Sequence, residues 1–441
     1  MTGQRPAPPH RTVAVVGAGA AGAMVTIQLC EEAVRRRGAP GAPAAFDVVL
    51  VDPAPEAGRG TAYATADPRH LLHLPADAMS CRPDDPGHFV RWLCRHGSPQ
   101  GGAGEFVERY RYGAYLAEVL GRAVIAAHGT VGVRRLRTRA TGCHWPGRSA
   151  RLELAEGPPV DADCVVLATG PGPASADWAR TVLRGSDRLV LSPWSPGALD
   201  AALGAGRTDD VLLVGTGPVA VDLALRLDRR GRTVHALSPH GRLPRPRPED
   251  RAAERSDPPW DPHPYRLPPA TARDLSRMRR LRRLRTHAGR LAGARDRPGG
   301  SLTVAVDLTD GGGTRQLTVG WVVDCTDPEA LRRDTADPLW RGLLDAGGAV
   351  PGPLGTGVST DRGRLRDAEG RSVRPLWTLG APRLGELPGS TAVPEIREQA
   401  AAVAEAVVGE LTGPRGPSPR TSSHAGGAAG NVSDPLPEDQ W

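Results

Sequence analysis

Three observations predict an α/β fold of two Rossmann-like dinucleotide-binding units, the later inserted into the earlier. Val13-Ala-Val-Val-Gly17-Ala-Gly19-Ala-Ala-Gly22 runs from an apolar strand through a glycine turn into a helix. The pattern returns at Asp210-Val-Leu-Leu-Val-Gly215-Thr-Gly217-Pro-Val-Ala220-Val-Asp222. Two strand ends, Cys164-Val-Val-Leu-Ala168-Thr-Gly170 and Val323-Asp-Cys-Thr326-Asp327, each follow one unit and hand the chain onward. On this reading 1–11 form a disordered leader, 12–205 and 328–412 the two parts of the first domain, 206–327 the inserted domain, and 413–441 a disordered tail.

In the first unit Gly17 permits the tight turn, Gly19 lets backbone approach a pyrophosphate, and Gly22 lets the helix sit against the strand. The diphosphate then lies on a helix N-terminus, where unpaired N–H groups and the helix dipole favour an anion. The helix is predicted from Ala20 to Arg36. The next strand, Phe46 to Asp52, ends in a carboxylate placed for ribose hydroxyls. A first strand so near the start of the chain points to FAD. The segment 37–45 reads as a plain loop, whereas Gly58-Arg59-Gly60-Thr-Ala-Tyr63 and the stretch 67–80 read as loops passing over the flavin.

Pro86 is expected to open a helix with Phe89, Trp92 and Leu93 on its apolar face, and another helix is expected from Tyr110 to Ile125. Strands follow near 131–138, 150–154 and 160–168, the last returning to the flavin sheet. In the second unit Ala220 takes the third small position, the helix runs through Leu227, and a strand covers Thr233 to Leu237. Ser238 stands where an acid would select NADH, and Arg242, Arg245 and Arg247 follow, so NADPH is expected. Leu275, Met278, Leu281 and Leu284 make one apolar stripe among arginines, predicting a surface helix across them. Strands near 302–308 and 317–324 close the insert. Trp377-Thr-Leu-Gly380-Ala-Pro-Arg383 reads as a strand and turn. The last helix opens within Thr391 to Ala400, with Pro394 in its first turn and its N-terminus toward the flavin's pyrimidine edge, and continues to about Leu411.

Composition narrows the chemistry. The 441 residues are 39% hydrophobic, enough for two cores. No run of eighteen apolar residues occurs and the start, Met1-Thr-Gly-Gln-Arg-Pro, is polar, so a cytoplasmic chain with no membrane segment is expected. All 56 basic residues are arginine. Schiff-base catalysis by lysine is therefore excluded, and every fixed cation is a planar fork suited to phosphate and carboxylate. Two pyrophosphate cofactors and an anionic substrate account for the net charge of +7, so no nucleic-acid partner is expected. Cys30, Cys81, Cys94, Cys143, Cys164 and Cys325 contain no C-x-x-C pair or metal-ligand spacing, which speaks against a dithiol centre and a metal site.

Beyond the two glycine turns, Gly60-Thr-Ala-Tyr63, His70-Leu-Leu-His73-Leu-Pro-Ala76 with Met79-Ser80, Val221-Asp222, Ser238 to Pro244 and Thr391-Ala-Val-Pro-Glu-Ile-Arg-Glu-Gln-Ala400 occur in order. With these motifs the chain resembles bacterial FAD/NAD(P)-binding flavoproteins that include aspartate N-monooxygenases and a urate hydroxylase. The resemblance implies an NADPH-dependent flavin monooxygenase that takes a small-molecule substrate and dioxygen and hydroxylates the nitrogen of a small amino acid or related amine. Carbon hydroxylation of a purine-like ring, or reduction without oxygenation, stay open alternatives. It further implies that Tyr63, Met79, Gly170, Gly380 and Val393 border the flavin. Two loops depart from the family pattern: His73 replaces a usual Asn, and Pro388-Gly389 a usual Trp-Glu. His73 is a candidate donor or base, and Arg59 and Arg383 are candidates for a substrate carboxylate, Arg383 also for a catalytic role.

Overall fold

A computed structural model describes residues 10–39, 45–97, 102, 104–172, 177–183, 186–195, 197–204, 208–248, 265–309, 311–326, 331, 335–387 and 389–412. Most of the expected leader, the whole expected tail, Asp327 and Pro388 lie outside them. The chain opens with β1 (Arg11–Val16), α1 (Ala20–Arg36) and β2 (Phe46–Val51), followed by α2 (Gly60–Tyr63), α3 (His88–Arg95), α4 (Arg109–Ala126) and β3 (Val131–Leu136). A three-stranded antiparallel sheet of β4 (Ala140–His144), β5 (Ala150–Leu154) and β6 (Val160–Ala162) precedes β7 (Cys164–Leu167). The middle of the chain holds α5 (Asp177–Val182), β8 (Leu189–Val190), α6 (Asp200–Leu203), β9 (Val211–Val214), α7 (Pro218–Leu227), β10 (Val234–Ser238), α8 (Pro269–Arg280), β11 (Leu284–Arg297), β12 (Ser301–Leu308), β13 (Thr314–Val319) and β14 (Trp321–Asp324). It ends with α9 (Pro338–Asp345), β15 (Thr360–Asp361), β16 (Arg364–Arg366), β17 (Ser372–Thr378) and α10 (Val393–Leu411).

The first large sheet has the order β15-β16-β17-β7-β1-β2-β3, and the second β13-β12-β11-β10-β9-β14-β8. The second lies wholly between β7 and β17 in sequence, so it is an insertion, as expected. β1 pairs in parallel with its successor β2 on one side and with the much later β7 on the other. β9 does the same between β10 and β14. Each glycine turn therefore sits where the strand order reverses, the crevice in which open α/β sheets take ligands. Met24, Ile27 and Leu29 of α1 are fully buried, with α4 and α10 packed against that helix. Each such side chain contributes roughly 1.5–3 kcal/mol, which fixes the first turn of α1 in place.

Two expectations fail. The helix predicted across Leu275 to Leu284 stops at Arg280. Leu281 is 52% exposed, Arg282 turns to φ 57°, and Leu284 begins β11 with Val234 as its parallel partner. The unpaired edge of β10 takes Leu284 to Ala288, which outweighs the helical spacing of the leucines. The boundary expected at 205/206 also lies too late, because Leu189 and Val190 already pair with Val322 and Val323 of the second sheet.

β10 and β11 bring two buried histidines together: His235 Nδ1 lies 2.9 Å from His287 Nε2, and His235 Nε2 3.5 Å from Asp210. Burial first, then His235, Arg315 and Arg285, pulls the His287 ring down to about 4. Between its ordinary 6.5 and about 4 the unfolded ring takes up a proton that the folded ring refuses. Stability should therefore fall as pH drops through that window and level off below it. Thermal midpoints measured from pH 8 to 3.5 should show a shallower acid-side slope in His287→Leu than in the wild type; equal slopes would remove this pair as the cause.

Candidate active site

The two glycine turns are built alike. Gly17 N–H donates to Val51 O (2.8 Å) and Ala168 N–H to Val16 O (2.8 Å); in the insert Gly215 N–H donates to Leu237 O (2.7 Å) and Cys325 N–H to Val214 O (2.8 Å). Gly17 has φ 99° and Gly215 φ 123°. A Cβ on Gly17 would stand 2.3 Å from Ala168 O, and one on Gly215 2.2 Å from Cys325 O. At the third small position a Cβ on Gly22 would meet Gly17 O at 1.8 Å, whereas Ala220 fits in the second unit, 1% exposed. Gly19 and Gly217 are the N-caps of α1 and α7, and neither helix end receives a side-chain cap. Their first N–H groups are thus left for an anion.

Three chain segments converge on the first turn of α1. A Cβ on Gly60 would come 3.0 Å from Gly19 Cα, and a Cβ on Gly380 3.5 Å from Ala21 Cβ. Gly380 N–H donates to Gln399 Oε1 at 3.0 Å, tying this turn to α10. The Asp52 carboxylate, expected at ribose hydroxyls, accepts from Ala18 N–H (2.6 Å) and Ala54 N–H (2.7 Å) and so holds the backbone of the turn. Tyr63 packs edge-on against Tyr112 with centroids 4.8 Å apart, and burial raises its phenol to about 12, leaving it a protonated donor. Met79 and Val393 are each 3% exposed, and Gly170 has φ 71° with nothing within 4 Å of a Cβ. In the second unit Ser238 Oγ accepts from Thr216 Oγ1 (3.0 Å) and Gly241 N–H (3.0 Å), and Arg242 is exposed just beyond.

Of the residues expected at a substrate, Arg59 pairs with Glu56 at 2.5 Å and lies along α4 beside Gly113. Arg383 differs from expectation. It is 7% exposed and bonds Glu386 (3.1 Å) and the same Gln399 Oε1 (3.4 Å) that holds Gly380. Its guanidinium therefore braces the Gly380 turn from within. His73 is partly buried at the junction of the two units, with its Nε2 against Arg109 Nη2 and its ring edge-on to Tyr265 of the insert at 5.9 Å. Burial first, then Arg109 and Arg247, pulls this imidazole down to about 3, so the ring is uncharged at ordinary pH.

The junction was not anticipated as a site. Arg109 pairs with Asp222 of α7 at 2.8 Å, His70 Nε2 donates to Asp222 O at 3.0 Å, and the His70 ring meets Trp194 at 5.7 Å. Arg247 donates to His73 O (3.2 Å), and the Tyr265 hydroxyl is 3.4 Å from Thr391 Oγ1. These partners are far apart in sequence, and no spacing rule links them.

Fold and site together define a chain of two Rossmann-like units, each with a glycine turn at the point where its strand order reverses. Residues 14–172 match a family model described as FAD-NAD(P)-binding. Among solved structures the chain is similar to an ornithine N-hydroxylase from Kutzneria sp. 744, at 17% identity and TM-score 0.60, over 91% of this chain and 99% of that one. It is similar to the L-lysine 6-monooxygenase of Pseudomonas syringae, at 17% identity and TM-score 0.63, over 90% and 99%. It is also similar to the thioredoxin reductase of Lactococcus lactis, at 14% identity and TM-score 0.54, over 91% and 99%. A comparison with curated protein sequences finds no match. Among the described residues no helix is long and apolar enough to cross a membrane.

Proposed function

We propose that the chain binds FAD at the first glycine turn and NADPH at the second, and that it is a monooxygenase hydroxylating the nitrogen of a small amino acid or related amine. The observation that supports this most is the pair of turns built alike, each with a glycine held against a strand-end carbonyl that leaves no room for a Cβ. FAD held at the first turn would supply the chemistry of hydride acceptance from NADPH and electron delivery to dioxygen. The chain's own groups do the rest. Gly19 and the α1 N-terminus receive the diphosphate, Gln399 and Arg383 hold the Gly380 turn, and Tyr63 and His73 offer neutral donors.

The same fold serves disulfide reduction, and the thiols argue against it here. All six cysteines are free, and only Cys94 is exposed. Burial pushes Cys30, Cys81, Cys143 and Cys164 up to about 12. Thiols held protonated are poor nucleophiles, which favours dioxygen over a disulfide as the electron acceptor, with the amine nitrogen receiving one oxygen atom.

The purified protein should be yellow and bleach with NADPH in the absence of air. Incubated with ¹⁸O₂ and a panel of L-ornithine, L-lysine, cadaverine, L-aspartate and urate, it should place label on nitrogen of one amine. Label on carbon would move the reading to a ring hydroxylase, and NADPH oxidation that yields only peroxide across the panel would make it a reductase. Ser238→Asp should raise the KM for NADPH at least about tenfold, since a carboxylate there repels a 2′-phosphate. An unchanged ratio of NADPH to NADH efficiency would remove Ser238 from the selection.

A further inference from the structure

We propose that Asp222, Arg109 and His73 form a positioning chain through which the inserted domain holds His73, on the flavin side, as a neutral hydrogen-bond donor with its proton on Nδ1. The inference rests on the two-cofactor reading above. Asp222 lies two residues beyond Ala220, on the helix that starts at the second glycine turn. Its side chain is 5% exposed and that of Arg109 13%, so neither charge is satisfied by solvent and removing either leaves the other stranded. Arg109 is fixed from its own side as well: its N–H donates to His70 O at 2.9 Å and its Nε to Leu71 O at 3.1 Å. With Nε on the loop, the two terminal nitrogens divide between Asp222 (Nη1) and His73 (Nη2).

A guanidinium has five N–H groups and no acceptor, so in its contact with His73 the imidazole nitrogen must accept. Nε2 is therefore unprotonated, and the neutral ring carries its single hydrogen on Nδ1. The charged neighbours of the ring are the cations Arg109 and Arg247, and both oppose an imidazolium. Arg247 also donates to His73 O at 3.2 Å, and the Tyr265 ring borders the imidazole. Loop 70–73 is thus gripped from the insert at both His70, by Asp222 O and Trp194, and His73, by Arg247 and Tyr265, and it leads on to Met79. Asp222 and Arg109 act here through His73 and through the relative seating of the two units; they are positioning residues.

The test uses full-length protein with ¹⁵N-labelled histidine, His73 being assigned by its loss in His73→Gln. In the wild type the His73 ring should show the Nδ1–H tautomer and remain neutral at pH 5. In Asp222→Asn, where Arg109 loses its anchoring charge, the ring should shift to a mixture of tautomers. Flavin reduction by NADPH should then slow roughly ten- to hundredfold, with FAD content and reduction by dithionite unchanged. Should Asp222→Asn fail to fold, Arg109→Lys keeps the charge facing Asp222 but cannot reach three partners at once, and the same tautomer shift is expected. An Nε2–H ring in the wild type, a tautomer unaltered in the variants, or reduction by NADPH at the wild-type rate overturns the chain. A protein that takes no flavin overturns the cofactor reading instead, and the histidine measurement, which needs no cofactor, still decides the proposal.

Discussion

Gly17→Ala should yield a protein that retains little or no FAD and unfolds more readily than the wild type. At φ 99° any side chain is strained, at a cost of roughly 1–2 kcal/mol. The larger effect is collision: the added Cβ would lie 2.3 Å from Ala168 O and 2.8 Å from Ala168 C, both backbone atoms that no rotamer change can clear. Relief requires β7 to withdraw from β1, which breaks the Ala168 N–H bond to Val16 O and opens the turn. The sum is about 3 kcal/mol or more in stability and, if the turn is where FAD is held, roughly 100-fold or more in its affinity. Gly19→Ala is the informative contrast. Gly19 has φ −69° and its Cβ would meet only Gly60 Cα at 3.5 Å, an ordinary contact, so folding should be unaffected. Its FAD content should still fall, because the methyl group occupies the approach to the helix N-terminus. Thermal unfolding and the flavin absorbance of the two purified variants check this; full flavin content in Gly19→Ala would mean that the diphosphate lies elsewhere.

The parts of this architecture legible from sequence are those written in adjacent residues. The strand Val13 to Val16, the glycines and the helix from Ala20 form one continuous local pattern, and α1 ends at Arg36 as expected because Gly38, at φ 78°, follows. What was not legible depends on pairing across long stretches of chain. Leu281 and Leu284 carry helical spacing, yet Leu284 is drawn into β11 by the open edge of β10. Leu189 and Val190 are too short a strand to show alternation, so the insert was expected to begin later than it does. Arg383 is a substrate candidate by its position in the motif alone; only the fold reveals Glu386 and Gln399 around it. The Arg109–Asp222 contact belongs to the same class, since an ion pair between two domains leaves no local trace in either.

Gly215→Ala should separate the two cofactor functions that Gly17→Ala cannot. At φ 123°, with a Cβ 2.2 Å from Cys325 O, 2.5 Å from Cys325 C and 2.9 Å from Thr326 N, the steric insult equals that at Gly17, but it falls on β14 and the inserted sheet. The first sheet shares no strand with the second, so its core of α1, α4 and α10 should persist and the protein should remain yellow. Reduction of that flavin by NADPH should be at least about 100-fold slower, in proportion to about 3 kcal/mol of lost NADPH binding, while dithionite still bleaches it at the wild-type rate. Stopped-flow absorbance with each reductant provides the comparison. If Gly215→Ala lost its flavin and Gly17→Ala kept it, the assignment of the two turns would be reversed. If both variants lost flavin together, the two sheets would be acting as one folding unit, with the buried pair of Arg109 and Asp222 as the connection through which damage at one turn reaches the other.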